Sequence, residues 1–250
     1  MSALRALSYH RAAMATFLVA HGAWSAAWAW KKVRPLLRAR GHEIFTPTYT
    51  GLGERAHQAA PDIGLQTHVE DVLGVLTFED LGDVVLVGHS YGGMVATVVA
   101  DRAPERLRRL VYLDAFVPRD GQSLADLLPA EMRARMLDGA RTHGDGWRVP
   151  PNPVPPDTSE ADVAWITPRR VMQPRWTFDE PARLTGAGAH LPRTYVYCTR
   201  LAPLDVFRPF AERARLEPGW EYLELDASHS PNVTAPDALA ALLDTIASKS

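Results

Sequence analysis

The sequence contains a single cysteine, Cys198, in 250 residues. One thiol cannot form a disulfide bond within its own chain, so a disulfide framework is excluded and a reducing, cytoplasmic location is expected. The sequence also lacks any apolar run of the roughly 18 residues that a membrane-spanning helix requires. Near the N-terminus, Arg5, His10 and Arg11 interrupt every apolar stretch. We therefore expect no signal peptide and no membrane partner.

A surplus of positive charge is absent as well. Lysine and arginine together number 27 against 29 aspartates and glutamates, which gives a formal net charge of -2. Without such a surplus the chain is poorly suited to neutralising a row of phosphates, so nucleic acid is not an expected partner. What is present is the composition of a folded globular protein, with 46% hydrophobic and 22% charged residues.

Short apolar runs alternate with helical patterns along most of the chain. Each run has the length of a strand, and the apolar residues between the runs recur at helical spacing. Strands that alternate with helices pair in parallel, and their right-handed crossovers place helices on the faces of the sheet. We therefore predict an α/β fold with a mainly parallel sheet and helices on both faces. The predicted strands cover residues 16–20, 43–47, 83–88, 110–117, 194–198 and 221–225.

The alternation stops after the fourth predicted strand and resumes at the fifth. Residues 118–192 contain two short helical patterns and the proline-rich run VPPNPVPPD. A long stretch without regular structure is uncommon in a compact domain unless it has a function. We predict that residues 118–192 form an inserted helical cap on a core made of residues 16–117 and 193–250. Residues 1–15 are predicted to form a flexible N-terminal tail.

The clearest chemical motif is the pentapeptide GHSYG at residues 88–92, a G-x-S-x-G pattern. It directly follows a predicted strand and opens a predicted helix, which is the context of a nucleophile elbow. In such a turn the serine hydroxyl is lifted out of the sheet, and the helix N-terminus favours the negative charge that develops beside it. Ser90 is therefore the predicted nucleophile. The alternative is a Gly-Ser turn that only starts a helix.

A serine hydroxyl needs a base within hydrogen-bond reach, and in elbow proteins the acid and then the histidine follow the serine along the chain. His229 lies in DASHSPN, directly after the last predicted strand, and is the predicted base. The acid would hold the imidazole tautomer and stabilise its charged form. Asp205 is the predicted acid because it follows the fifth strand, and Asp114, at the end of the fourth strand, is its rival. Asp226 is too close to His229 in sequence to fold back onto it.

Acyl transfer also requires two backbone N–H donors that stabilise the oxyanion. One donor is expected at Tyr91, the residue after the nucleophile. The other is expected on the HGAW loop after the first strand, where Ala23 is the first choice and Trp24 the second. The alternative for this loop is a tight turn with no catalytic role.

Together these motifs resemble the α/β-hydrolase branch that includes plant methylesterases, hydroxynitrile lyases and related bacterial esterases. The resemblance extends from Thr16 to the C-terminus and rests on HGAWSAAWAW, TPTYTGLGER, LVGHSYGG, YLDAFVPRDG and the terminal SHSPN. It implies the α/β-hydrolase fold. It also supports the roles given above to Ser90, Asp205, His229, Ala23 and Tyr91.

Departures from that branch concern the acid and the reaction. The segment between Cys198 and Phe207 is longer than in the plant members, and an ungapped alignment back from Phe207 places Leu204 at the acid position. Asp205 therefore fits only if the extra residues of this segment lie before it. The lyases of the branch carry threonine or asparagine in the oxyanion loop, and one group carries lysine after the catalytic histidine. Here these positions are Gly22 and Ser230. With no side chain at Gly22, an oxyanion can approach the backbone donors, which favours acyl transfer over cyanohydrin cleavage.

The predicted function is a serine carboxylesterase that hydrolyses a small, apolar or aromatic ester through an acyl-enzyme, with no metal and no organic cofactor. The cap should supply an apolar pocket. The predicted pocket residues are Trp147, Trp165, Met172, Trp176 and Phe178 of the cap, above Trp24. The cap aromatics can equally form the cap's own core. A hydroxynitrile-lyase-like enzyme and a low-turnover ligand receptor stay open as alternatives, and a homodimer is neither favoured nor excluded.

Overall fold

The computed structural model describes residues 14–200 and 205–249. Most of the predicted N-terminal tail, residues 1–13, lies outside the described residues. The strands are β1 (Thr16–Ala20), β2 (Glu43–Phe45), β3 (Val84–His89), β4 (Leu107–Leu113), β5 (Arg148–Val149), β6 (Gln173–Pro174), β7 (Arg193–Cys198) and β8 (Trp220–Leu225). The helices are α1 (Val33–Ala39), α2 (Leu65–Phe78), α3 (Gly92–Arg102), α4 (Leu124–Leu127), α5 (Ala130–His143), α6 (Glu160–Ile166), α7 (Trp176–Asp179), α8 (Arg208–Leu216), α9 (Pro231–Thr234) and α10 (Pro236–Ala247). Among the helices of these described residues, none is long and apolar enough to cross a bilayer.

Six of the strands form one sheet in the order β2-β1-β3-β4-β7-β8. Every neighbouring pair in it is parallel, which confirms the predicted architecture. All residues of β3, inside the sheet, are buried, as expected for a strand that is covered on both faces. Because the strands are parallel, the loops that follow β1, β3, β4 and β8 meet at one edge of the sheet.

Alternate residues of the strands point into two apolar cores, one on each face of the sheet. On one face, Leu86 of β3 belongs to a core with residues of α2, α3 and α8. On the other face, Val85 and Val87 belong to a core with residues of α1 and α10. This division follows from the two-residue period of a strand. Helices therefore cover both faces, as predicted.

Between β4 and β7 the chain leaves the sheet and forms the helices α4 to α7 and the antiparallel pair β5–β6. In that pair Val149 lies opposite Gln173, so the residues between them, including α6, form a closed loop. The segment is tied to the rest of the protein by Lys32, whose ammonium donates to Asp162 of α6 at 2.6 Å. A second contact joins the segment to the loop that follows β1, where the indole N–H of Trp24 donates to the carbonyl of Val149 at 2.9 Å.

Candidate active site

Ser90 occupies the tight turn between β3 and α3. Its backbone φ is +57°, a left-handed conformation that is strained for serine and for most residues other than glycine. The N–H of Ser90 donates to the carbonyl of Leu113 at 3.2 Å, and its carbonyl accepts from the N–H of Phe116 at 3.2 Å. These two bonds to the end of β4 and the residues just after it hold the serine at the loop edge of the sheet in its strained conformation.

Glycines after Ser90 are required by close backbone contacts. A Cβ at Gly92 would lie 1.9 Å from the carbonyl oxygen of Ala20, and a Cβ at Gly93 would lie 2.1 Å from that of Phe116. No real carbon atom can approach an oxygen so closely, so any other residue here would push α3 away from its neighbours. The two glycines therefore allow the helix to begin tight against the ends of the strands.

His229, on the loop after β8, is in contact with Ser90. Its Nε2 lies 3.0 Å from the Oγ of Ser90, and its Nδ1 lies 2.7 Å from an oxygen of Asp114. An ionised carboxylate can only accept, so it fixes the ring proton on Nδ1 and leaves Nε2 to accept the hydroxyl proton. The side chain of Asp114 is 6% exposed and that of His229 is 32% exposed. The three side chains thus form a hydrogen-bond chain from a buried carboxylate to an accessible imidazole and hydroxyl.

The predicted pairing of Asp205 with His229 is wrong. One carboxylate oxygen of Asp205 accepts from the hydroxyl of Tyr197 at 2.5 Å. The other accepts from the N–H groups of Phe207 and Arg208, at 3.2 Å and 3.1 Å. One oxygen is therefore engaged by β7 and the other at the start of α8, where unpaired backbone N–H groups need acceptors. Asp205 stabilises a helix end.

Asp114, the rival acid, makes the contact instead because of its position at the end of β4. Its φ is +43°, in the left-handed region that aspartate tolerates better than most residues. One of its oxygens accepts from the N–H of Cys198, the last residue of β7, at 3.3 Å. The other faces His229. Since β7 lies between β4 and β8 in the sheet, the carboxylate reaches His229 across the end of β7.

Two residues that the sequence did not single out hold His229 in place. The Nε2–H of His89 donates to the backbone carbonyl of His229 at 2.7 Å. The ring of Phe207 stacks on the imidazole, with centroids 4.6 Å apart and planes 12° from parallel. His89 occupies the variable position of the elbow motif and Phe207 precedes a separate helix. No sequence motif therefore predicts that either residue contacts His229.

The loop after β1 packs directly against Ser90. A Cβ at Gly22 would lie 3.1 Å from the Cβ of Ser90. Within the described residues, no acceptor is bonded to the N–H of Ala23 or of Tyr91, whereas the N–H of Trp24 donates to the side chain of Gln173. Ala23 and Tyr91 are thus available as donors to a bound oxyanion, and Trp24, the second choice, is engaged elsewhere.

His21 orients the Ala23 donor. Its Nε2 accepts from the N–H of Tyr49 at 3.2 Å, which leaves the ring proton on Nδ1. That Nδ1–H donates to the carbonyl of Gly22 at 2.9 Å. Because the carbonyl of Gly22 and the N–H of Ala23 belong to one planar peptide and point in opposite directions, the bond from His21 fixes the direction of the Ala23 N–H. Burial lowers the pKa of His21 to about 3, so the ring stays neutral.

Trp24 and Phe178 are the predicted pocket aromatics that contact the site's own residues. Their ring centroids lie 5.7 Å apart, and the ring of Phe178 lies 5.7 Å from that of Tyr91. Phe178 is fully buried. Phe178 of α7 therefore packs against both the loop after β1 and the elbow.

Two other predicted pocket residues, Trp165 and Trp147, make contacts with other side chains. Trp165 packs edge-on against Trp28, with centroids 5.6 Å apart. Trp147 lies beneath the guanidinium of the next residue, at 5.2 Å. Trp176 is 44% exposed, and Met172 is partly exposed. The contact of Trp147 with Arg148 matches the alternative in which the aromatics pack the cap itself, whereas Trp165 packs against Trp28, which lies outside the predicted cap.

The arrangement as a whole has the parts that acyl transfer needs: a hydroxyl bonded to an imidazole, a carboxylate behind it, and two unengaged backbone donors beside the hydroxyl. Within residues 14–200 and 205–249, no group of three or more histidine, cysteine, aspartate or glutamate side chains is placed to hold a metal ion.

Three buried histidines near the site make the folded state sensitive to acid. Burial lowers the pKa of His21, His68 and His89 to about 3 from an ordinary value of 6.5. In the unfolded chain each becomes protonated below about pH 6.5, whereas in the folded protein each stays neutral down to about pH 3. The unfolded chain therefore binds more protons in this window. As a result, the free energy of unfolding is at its full value above about pH 6.5 and falls as the pH falls towards 3.

We expect the free energy of unfolding to decrease by about 2 kcal/mol for each of these histidines between pH 7.5 and pH 5. Urea denaturation at a series of pH values measures the slope of the free energy of unfolding against pH. His68→Gln should reduce the slope by about one third, because it removes one of the three buried histidines that bind a proton in the unfolded chain but not in the folded protein. The matched control is His57→Gln, at an exposed position, which should leave the slope unchanged. Equal slopes for the parent and His68→Gln would contradict the expectation.

Comparison with known proteins relates most of the chain to one family. The model of the alpha/beta hydrolase family matches residues 17–242. The carbendazim hydrolyzing esterase of Nocardioides sp. (strain SG-4G) is 40% identical over 236 residues, which cover 91% of this chain and 97% of that protein. Methylesterase 1 of Arabidopsis thaliana is 35% identical over 104 residues, or 41% of this chain and 40% of that protein. Among solved structures, an extracellular alpha/beta-hydrolase from a Paenibacillus species superposes with a TM-score of 0.81 at 28% identity, over 92% of this chain and 98% of that one.

Proposed function

The chain belongs to the alpha/beta hydrolase family, and we propose that it is a serine carboxylesterase that cleaves a small ester through an acyl-enzyme. The observation that carries this proposal is the hydrogen-bond chain from Asp114 through His229 to Ser90, with distances of 2.7 Å and 3.0 Å. A relative that covers nearly the whole chain is named as an esterase, which supports the same reaction class.

In the proposed mechanism, Ser90 attacks the ester carbonyl while Nε2 of His229 takes the hydroxyl proton. The negative charge that forms on the carbonyl oxygen is stabilised by the N–H groups of Ala23 and Tyr91. The intermediate collapses to an acyl-enzyme, and the alcohol leaves with the proton that His229 returns. Water, deprotonated by His229, then attacks the acyl-enzyme. The bond to Ser90 breaks, His229 returns the proton to the serine oxygen, and the acid leaves. Throughout, Asp114 keeps the proton of the imidazole on Nδ1 and stabilises the imidazolium.

For the substrate we propose a methyl ester with an apolar or aromatic acyl part. The acyl part is inferred from the aromatic pair Trp24 and Phe178, which lies beside the elbow residue Tyr91. The alcohol is inferred from the names of the relatives, one of which refers to carbendazim, a methyl carbamate, and the other to methyl esters. The alcohol part of the proposed substrate is therefore a single methyl group.

Position 22 weighs against the lyase alternative. A Cβ at Gly22 would lie 3.1 Å from the Cβ of Ser90 and 3.2 Å from Nδ1 of His89, closer than most side-chain contacts. A threonine or asparagine, as the lyases carry, would therefore need these neighbours to move. The residue after the histidine is Ser230 and not a lysine, so the site also lacks the ammonium that one group of lyases has there.

A substrate panel tests the proposal. The purified protein would be assayed with methyl and butyl esters of aliphatic and aromatic acids, with carbendazim, and with mandelonitrile as the lyase probe. We expect hydrolysis of methyl esters with apolar or aromatic acyl parts, at kcat/KM values at least about tenfold above those of the butyl esters. Cyanide release from mandelonitrile without ester turnover would indicate a lyase. Binding of one ester per chain without turnover would indicate a receptor.

A further inference from the structure

Trp24 links the loop after β1 to the segment between β4 and β7. Its backbone N–H donates to Oε1 of Gln173 at 2.8 Å, and its indole N–H donates to the carbonyl of Val149 at 2.9 Å. Val149 and Gln173 are cross-strand partners in the pair β5–β6. One antiparallel residue pair therefore presents both acceptors to a single residue of the loop.

The amide of Gln173 is held in one orientation. The side chain is fully buried, and its Nε2 lies 2.8 Å from the hydroxyl oxygen of Thr177. That hydroxyl donates its only proton to the carbonyl of Pro174 at 2.7 Å. It can therefore only accept from Gln173, which requires the NH2 end of the amide to face Thr177 and the oxygen end to face Trp24. Gln173 is a fixed acceptor for the loop.

The backbone of Trp24 depends on such a fixed partner. Its φ is +54°, a left-handed conformation that a large side chain adopts only when its surroundings impose it. His21 already fixes the peptide between Gly22 and Ala23, and Gln173 fixes the next peptide, between Ala23 and Trp24. The N–H of Ala23, the proposed oxyanion donor, thus belongs to a peptide that His21 holds, and the peptide that follows it is held by Gln173.

We propose that Gln173 is a positioning residue of the oxyanion hole: by holding the N–H of Trp24, it keeps the N–H of Ala23 directed at the oxyanion. The proposal rests on the esterase function proposed above. The oxyanion exists only during the reaction and not in the bound substrate. Loss of this positioning therefore lowers turnover and leaves substrate binding nearly unchanged.

The test is Gln173→Met, which keeps the length of the side chain and removes the acceptor. We expect kcat to fall about 10- to 100-fold, with KM within about threefold of the parent value. Affinity for a trifluoromethyl ketone, which forms a tetrahedral adduct with the serine, should fall by the same factor as kcat/KM. The pH profile of kcat/KM should keep its shape, because the contacts of His229 are not altered.

The matched control is Ser123→Ala. It removes a buried hydroxyl that accepts from the N–H of Asp126 at 3.2 Å, in the same segment of the chain but at α4. Its kcat should stay within about twofold of the parent value, because the oxyanion donors are not touched. If Gln173→Met fails to fold, Thr177→Val takes its place. It frees the Gln173 amide to rotate and should lower kcat about three- to tenfold, again with KM nearly unchanged.

Amide hydrogen exchange gives a readout that does not depend on turnover. In NMR spectra of the 15N-labelled protein, the N–H of Trp24 should be protected in the parent and should exchange at least about tenfold faster in Gln173→Met. Parent-like kcat in Gln173→Met, a loss confined to KM, or unchanged exchange at Trp24 would each overturn the proposal while the esterase function stands. A parent protein that hydrolyses no ester would overturn both.

Discussion

We expect Ser90→Ala to lower ester hydrolysis by about three to six orders of magnitude while the fold persists. The substitution removes only the oxygen that lies 3.0 Å from Nε2 of His229. Without it no acyl-enzyme can form, and the remaining groups can only polarise the carbonyl towards attack by water. The backbone bonds that hold the turn, to Leu113 and Phe116, do not involve the hydroxyl and remain.

The measurement is kcat/KM on the best ester of the panel, together with the melting temperature. In the parent protein a fluorophosphonate should react at Ser90, which peptide mass spectrometry locates. Ser159→Ala serves as the matched control, because its hydroxyl accepts only from the N–H of Asp162 at the start of α6, and its activity should equal that of the parent. Full activity in Ser90→Ala, or a label at another residue, would refute the mechanism.

Asp114→Asn is expected to lower turnover by about a hundredfold to ten-thousandfold. The N–H of Cys198 donates to one oxygen of Asp114, so an asparagine amide would place its oxygen there and its NH2 group towards His229. Nδ1 of His229 would then have to accept, which moves the ring proton to Nε2. In that tautomer Nε2 cannot accept the proton of Ser90. Asparagine tolerates the φ of +43° at this position, so the backbone should not change.

Asp205→Asn is the matched control, because it makes the same chemical change at the other candidate acid. Its kcat/KM should stay within about threefold of the parent value, since neither oxygen of Asp205 contacts His229. The melting temperature should change by a few degrees at most, because asparagine caps the start of a helix about as well as aspartate. An inactive Asp205→Asn together with a nearly normal Asp114→Asn would reverse the assignment of the acid.

Much of the fold, together with the elbow at Ser90 and the HGAW loop of the site, is encoded by short stretches of sequence. The apolar run of β3, the glycines after Ser90 and the start of α3 are adjacent in the chain, and their contacts are settled by local sterics. The same holds for the HGAW loop, which must leave the end of β1. A residue that directly follows a strand of a parallel sheet lies at a known edge, and this is why Ser90 and His229 could be placed there from the sequence.

What the sequence by itself determined is therefore the order of the strands and helices, the parallel sheet and the edge at which Ser90, His229 and the HGAW loop meet. Only the tertiary structure decided which carboxylate reaches His229, because Asp114 and Asp205 both follow strands that end at that edge. The choice depends on the left-handed turn at Asp114 and on the helix end that engages Asp205. The contact between Trp24 and Gln173 was also decided only by the tertiary structure. It joins residues 149 positions apart, and no local pattern records how a distant segment docks.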